Sequence, residues 1–291
     1  MLNRQKALLA LLDQAGGSAS RLTLIKWSFL LSREAPNRGG KAFYGFVPYN
    51  HGPYSFCLNQ EVGAMIRDGL VDEPNGHTWR LTPAASRVHD TLPAPLRSDV
   101  SFVMDEYGHL STEQLINSVY WRYPWFTVNS QSPRRRALPR PVADLAVYTM
   151  GYEGLSVEAL LDELMRSGVR RLLDVRANPV SRRYGFHQRT LQGLCDRLDI
   201  DYVHLPELGV RAEDRKELNT PSEYEALFAR YRREVTSRRA GLIKKVAGAL
   251  RQKPGVLVCM EADPHSCHRS HLASIVTPVA ELPIAHLGWP R

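Results

Sequence analysis

Apolar residues recur at helical spacing from Asn3 to Ala15, where Leu8, Leu11 and Leu12 share a face before Gly16-Gly17 stops the helix. Leu22 to Arg33 repeats the pattern with Leu24, Trp27 and Leu31, and Cys57 to Asp68 predicts a third helix. Gly69 to Glu73 and Thr78 to Leu81 predict a short hairpin around Pro74-Asn75-Gly76. Two helices, a third helix and a hairpin in that order are the plan of a winged-helix-like, mainly helical domain over residues 1–90. Leu96 to Tyr107 and Ser111 to Tyr120 add two helices, the second opened by the capping box Ser111-x-x-Gln114, and make a helical connector over residues 91–129.

Beyond Arg140 the period changes. Short apolar runs at Leu145–Met150, Arg171–Val175, Asp201–Leu205, Val256–Met260 and Ile284–Leu287 predict strands. Between them Val157–Ser167, Gln188–Leu198, Ser222–Arg232, Gly241–Gln252 and Ser270–Ile275 predict helices. This alternation predicts an α/β domain over residues 142–291, a parallel sheet with helices on both faces in three layers. Ligands of such sheets bind beyond the carboxyl ends of the strands. Residues 130–141, with three prolines and four arginines, read as an Arg/Pro-rich linker.

Composition narrows the function classes. A chain of 291 residues with 43% hydrophobic content is a globular protein of about two domains. No apolar run is long enough to span a bilayer, and Arg4, Lys6 and Asp13 spoil the start as a signal peptide, so no membrane partner is expected. Four cysteines do not make a disulfide framework, which makes a reducing cytoplasm the expected location. The net charge of +8, spread over both halves, permits nucleic acid as a partner. Arg134, Arg135 and Arg136 in the linker are candidates to lie on phosphates, although a solvated hinge has the same composition. Tyr120-Trp121-Arg122-Tyr123-Pro124-Trp125-Phe126 is either a packing knot or a stacking surface for bases. No obligate protein partner is evident.

The polar motifs fall at the predicted strand ends. They are Tyr148-Thr149-Met150-Gly151-Tyr152-Glu153-Gly154, Asp174-Val175-Arg176 with Pro179 and Ser181, Tyr202-x-His204-Leu205-Pro206-x-Leu208-Gly209, and Cys259-x-Glu261 with Cys267-His268-Arg269. On these pieces residues 146–275 resemble the bacterial and archaeal domain of unknown function family 488. The resemblance implies a compact α/β fold and a shared polar site. Residues 1–90 resemble a loose group of winged-helix-like bacterial domains found in antitoxin and defence-associated proteins. The residues that carry this are Leu24-Ile25-Lys26-Trp27, Tyr49-x-His51-Gly52-Pro53-Tyr54-Ser55, Gly69-Leu70-Val71 and Leu81-Thr82. That resemblance implies regulation or nucleic-acid contact.

The residue types support several chemistries. Cys259 and Cys267 stand too far apart for the usual Cys-x-x-Cys zinc spacing, so no metal and no cofactor are expected. A thiol nucleophile at Cys259 would need an anion-cradling loop, whereas Glu261 and Asp263 follow it. The carboxylates Asp174 and Glu261 are the catalytic candidates, able to activate a water or stabilise an oxocarbenium-like transition state. Tyr152, Glu153, Arg176, Ser181, Arg182, Tyr184, Phe186, Cys267, His268 and Arg269 are candidate substrate-binding residues, and Arg183 a further nucleic-acid contact. Asp174 and Arg176 also share a strand face and can simply pair with each other. The expected function is a DNA-binding enzyme, most concretely a DNA glycosylase that flips and excises a modified or damaged base in repair or antiviral defence. The alternatives are a winged-helix regulator with a ligand-sensing domain and a thiol-dependent sulfurtransferase or phosphatase.

Overall fold

A computed structural model of the chain describes residues 1–85, 91–132, 135–211, 213–215, 218 and 220–288. The chain divides into two units, Met1–Pro139 and Arg140–Arg291.

In the first unit the helices are α1 (Asn3–Gln14), α2 (Arg21–Glu34), α3 (Phe56–Arg67), α4 (Ala94–Tyr107) and α5 (Thr112–Arg122). The strands are β1 (Ser18–Ser20), β2 (Val47–Tyr49), β3 (Gly52–Tyr54), β4 (Val71–Asp72) and β5 (Thr78–Leu81). Ser20 caps α2 by accepting from the Thr23 amide at 3.1 Å, and Ser55 caps α3 through the Leu58 amide at 3.2 Å. The predicted hairpin is β4–β5. It gains a third antiparallel strand, β1, whose Ala19 lies opposite Trp79. Ser-Ala-Ser has no periodicity to announce a strand; the free edge of β5 makes it one. Leu8, Leu11, Leu24, Phe29, Leu58 and Val100 are all buried in one core. That core also encloses an amine. Lys26 is buried, its Nζ donates to the Pro53 carbonyl at 2.9 Å, and burial pulls its pKa down to about 7.

The aromatic cluster after α5 packs inward. Tyr123 and Phe126 meet Phe29 edge-on at 4.9 and 4.7 Å, while Trp121 is left 84% exposed. In the linker Arg135 and Arg136 are exposed; Arg136 Nε donates to the Ser130 carbonyl at 2.8 Å and Arg135 pairs with Glu113 at 3.4 Å. Arg134 lies outside the described residues.

The second unit carries β6 (Val147–Gly151), α6 (Val157–Arg166), β7 (Arg171–Asp174), α7 (Gln188–Arg197) and β8 (Asp201–His204). It continues with α8 (Pro221–Arg238), α9 (Ala240–Gln252), β9 (Gly255–Cys259), α10 (His268–Ala280) and β10 (Ile284–His286). The sheet is wholly parallel, in the order β10-β6-β9-β7-β8. Val147, Leu173, Leu257 and Cys259 are buried with Tyr231 and Val235 of α8, Ile243 and Val246 of α9, and Leu272 and Val276 of α10. The alternate residues Met150, Leu172, Val256 and Val258 are buried as well, as are Leu160 and Leu164 of α6 and Leu191 of α7. Burial of both strand faces makes the three layers of an α/β domain. Helix α8 runs six residues past its expected end, because Leu227, Phe228, Tyr231 and Val235 keep helical spacing through the mixed charges.

Among the described residues no helix is long and apolar enough to cross a membrane.

Candidate functional site

Strand order decides what meets. β9 lies between β6 and β7, with Cys259 opposite Gly151 and Val258 opposite both Met150 and Asp174. The loops that leave these three strands therefore share one edge. A side chain at Gly151 would place its Cβ 1.8 Å from the Glu261 carbonyl oxygen, so only glycine lets the two loops cross. The same holds at Gly209, whose Cβ would lie 2.2 Å from the Ala177 nitrogen.

The first polar cluster centres on Asp174, which has no exposed surface. Its Oδ1 accepts from the Arg176 amide at 3.1 Å and from Arg176 Nε at 2.8 Å. Its Oδ2 accepts from Arg176 Nη2 at 2.5 Å and from the Tyr202 hydroxyl at 2.6 Å. Four donors fill the lone pairs of the carboxylate. Arg176 Nη1 donates to Tyr152 Oη and to the Phe186 carbonyl, each at 2.9 Å. Tyr152 stacks on Phe186 at 4.2 Å, and both rings are buried. Burial, then the Asp174 charge, pushes the Tyr202 phenol up, so it stays a donor.

This corrects four expectations. Asp174 has no lone pair left to activate a water. Arg176 has spent four of its five guanidinium protons inside the protein, which argues against a phosphate clamp. Tyr152 and Phe186 pack against each other rather than lining an open pocket. The pairing of Asp174 with Arg176, the plainer reading of their shared strand face, is what the fold uses.

Arg269 is corrected in the same way. It is 2% exposed, and its two terminal nitrogens donate to the carbonyls of Glu261 and Ala262, the second at 2.9 Å. It holds the loop after β9 in shape. Glu153, exposed, does so from the other side, its Oε2 accepting from the Ala262 amide at 3.0 Å. Ser181 Oγ accepts from the Arg183 amide at 3.1 Å. Arg183 is exposed, lies over the Phe186 ring and donates to the Leu155 carbonyl. Arg182 is exposed and Tyr184 half-buried on the same loop.

The second cluster forms where β9 ends and α10 begins. Cys259, Cys267 and His268 are buried, and their sulfur and nitrogen atoms lie within 4.8 Å of one another. Glu261, half-buried, accepts at Oε2 from Cys259 Sγ at 3.3 Å and from Cys267 Sγ at 2.9 Å. Burial, with the hydrogen bond to Cys259, pushes the Cys267 thiol up, which opposes a thiolate nucleophile there. The sequence separation of the two cysteines argued against a metal. The fold overturns that argument, since a strand end and a helix start bring the pair together.

Glu261 also lines a cavity of about 930 Å³ with Tyr224, Phe228, Arg232, His265 and His271. Arg232 Nη1 lies 3.0 Å from His271 Nδ1, and burial with the Arg232 charge lowers the imidazole pKa. Tyr224 and Phe228 of α8 were not singled out in the sequence, although they stand one helical turn apart. A second cavity of about 680 Å³, beyond β7 and β8, is lined by Ala177, Asn178, Arg211, Arg238 and Arg239.

Comparison with curated proteins and with solved structures gave no match. One family does match, over residues 156–276. The matched stretch lies within the second unit and does not reach residues 1–90. The match takes in Asp174, Arg176, Tyr202, Glu261 and the Cys267-His268-Arg269 run, and so over residues 156–276 the C-terminal α/β domain is similar to the family described as Domain of unknown function DUF488.

Proposed function

We propose that the C-terminal domain is a hydrolase acting on a base of DNA, most concretely a DNA glycosylase for a modified or damaged base. Glu261 is its water-activating carboxylate, and the first unit supplies contact to the duplex. The observation that carries this reading is the position of Glu261. Of the two candidate carboxylates, it is the one that opens on a cavity, while Asp174 is saturated. Aromatic faces at Tyr224 and Phe228 suit a flat ring, and Arg232, His265 and His271 offer donors to its edge. The arginines of the second cavity, with Arg135, Arg136, Arg182 and Arg183 on exposed segments, suit phosphates.

The test is incubation of the full chain with duplexes that carry a panel of modified and damaged bases, scored as alkali-labile abasic sites. Glu261→Gln is expected to lower the rate by about 100-fold or more. A full rate in that variant would sink the carboxylate mechanism. Salt-dependent binding to one DNA sequence, with no covalent change in any duplex, would replace the enzyme by the regulator reading.

A further inference from the structure

The cluster at the junction of β9 and α10 has the form of a metal site. A tetrahedral zinc ion with bonds of about 2.3 Å to sulfur and 2.0–2.1 Å to nitrogen sets its sulfur and nitrogen ligands roughly 3.6 Å apart. His268 Nδ1 stands 3.7 Å from Cys259 Sγ and 4.0 Å from Cys267 Sγ. The other ring nitrogen decides the tautomer. Nε2 lies 3.0 Å from the Val175 carbonyl, which can only accept, so the proton belongs on Nε2. Nδ1 is then the acceptor nitrogen, and it faces two sulfurs. A backbone carbonyl that fixes a histidine in this way is the usual support of a metal ligand. All three residues are buried, and Cys267 and His268 sit at the start of α10. Glu261 Oε2 closes the side that leads to the cavity.

We propose that Cys259, Cys267 and His268 bind one divalent transition metal ion, with its fourth position turned toward Glu261. Two sulfurs and one imidazole select zinc over magnesium or calcium, which prefer oxygen. Each thiol gives up a proton as its bond to the ion forms, so the dication replaces two protons and the charge of the buried cluster does not change. A metal at this place sharpens the proposed function, because it acidifies a water beside the carboxylate that takes its proton. The metal site stands without the DNA reading and is tested apart from it.

The full chain, purified without chelator, is expected to hold about one zinc ion per chain. After stripping, added Co²⁺ should give a thiolate-to-metal charge-transfer band, and added Zn²⁺ should release about two protons per ion at neutral pH. Cys267→Ser and His268→Gln should lower the metal content from one equivalent to nearly none, while Cys57→Ser and Cys195→Ser keep it. Glu261→Gln should also keep it. A stripped, folded wild-type chain that takes up no Zn²⁺ and shows no Co²⁺ thiolate band would overturn the proposal, and this decides the matter even if the ligand variants do not fold. Metal uptake without abasic sites would sink the DNA reading alone. Base excision by a chain that binds no metal would sink the metal site alone.

Discussion

The two polar clusters of the α/β domain stand on the same sheet edge and each holds a carboxylate, yet one carboxylate is enclosed and the other lines a cavity. Around Asp174 every carboxylate lone pair has a donor, and four of the five Arg176 guanidinium protons have acceptors. Around Glu261 two thiols converge on one carboxylate oxygen, an imidazole lone pair faces sulfur, and the carboxylate opens on a cavity. A buried network with all its bonds made is rigid and has nothing left to offer a substrate. A cluster that lines a cavity can meet a ligand. A carboxylate at a strand end does not by itself separate scaffold from chemistry here; its burial and its access to a cavity do.

The comparison can be broken first at its strongest point. Asp174→Asn leaves Arg176 buried without its counter-charge, and we expect a loss of about 3–5 kcal/mol in urea unfolding, or failure to fold. A loss below about 1 kcal/mol would show that the pair is not what holds the loop. Tyr202→Phe removes one donor and leaves Oδ2 short of a partner. Its expected cost is about 1–3 kcal/mol by the same measurement.

Lys26 extends the comparison to the first unit, as a buried amine that donates to a carbonyl in place of a carboxylate. Its folded pKa, near 7, lies below the unfolded value of 10.5. Between those values the unfolded chain holds the proton and the folded chain does not, so stability rises with pH across that window, by about 1.4 kcal/mol per unit. Lys26→Met should flatten this slope, read as midpoint shifts between pH 7 and 9. An unchanged slope would mean that Lys26 is not the titrating group.

The smallest effect is expected at the second cluster. Glu261→Gln should change unfolding stability by no more than about 0.5 kcal/mol, while it removes the activity proposed above. If Glu261→Gln destabilised the chain as much as Asp174→Asn, the two clusters would be alike and both structural.

Periodicity carried much of the architecture. The α/β alternation after Arg140, the parallel sheet and the helices of the first unit were all legible, because burial of one face or two leaves a period in the chain. Strand β1 was not, since three small residues have no period and depend on an edge supplied 60 residues later. The end of α8 was hidden by mixed charge on its exposed face. At the site, motif positions marked the correct loops but not the roles within them. Asp174 and Glu261 looked equivalent, as two acids at two strand ends. Tyr202 looked like part of a family motif, and only its 2.6 Å contact shows that it completes the Asp174 network. Tyr224, Phe228 and Arg232 reach the Glu261 cavity from a helix distant in the chain.

By itself the sequence determined the elements, their class and the polar loops, because local spacing and burial leave their mark residue by residue. Tertiary structure alone decided which loops meet. The placement of β9 between β6 and β7 joins Cys259 to Gly151 and brings Val175 to His268. It also decided which acid is enclosed in a hydrogen-bond network and which lines a cavity, since both depend on partners far apart in sequence, and spacing along the chain carries no record of them.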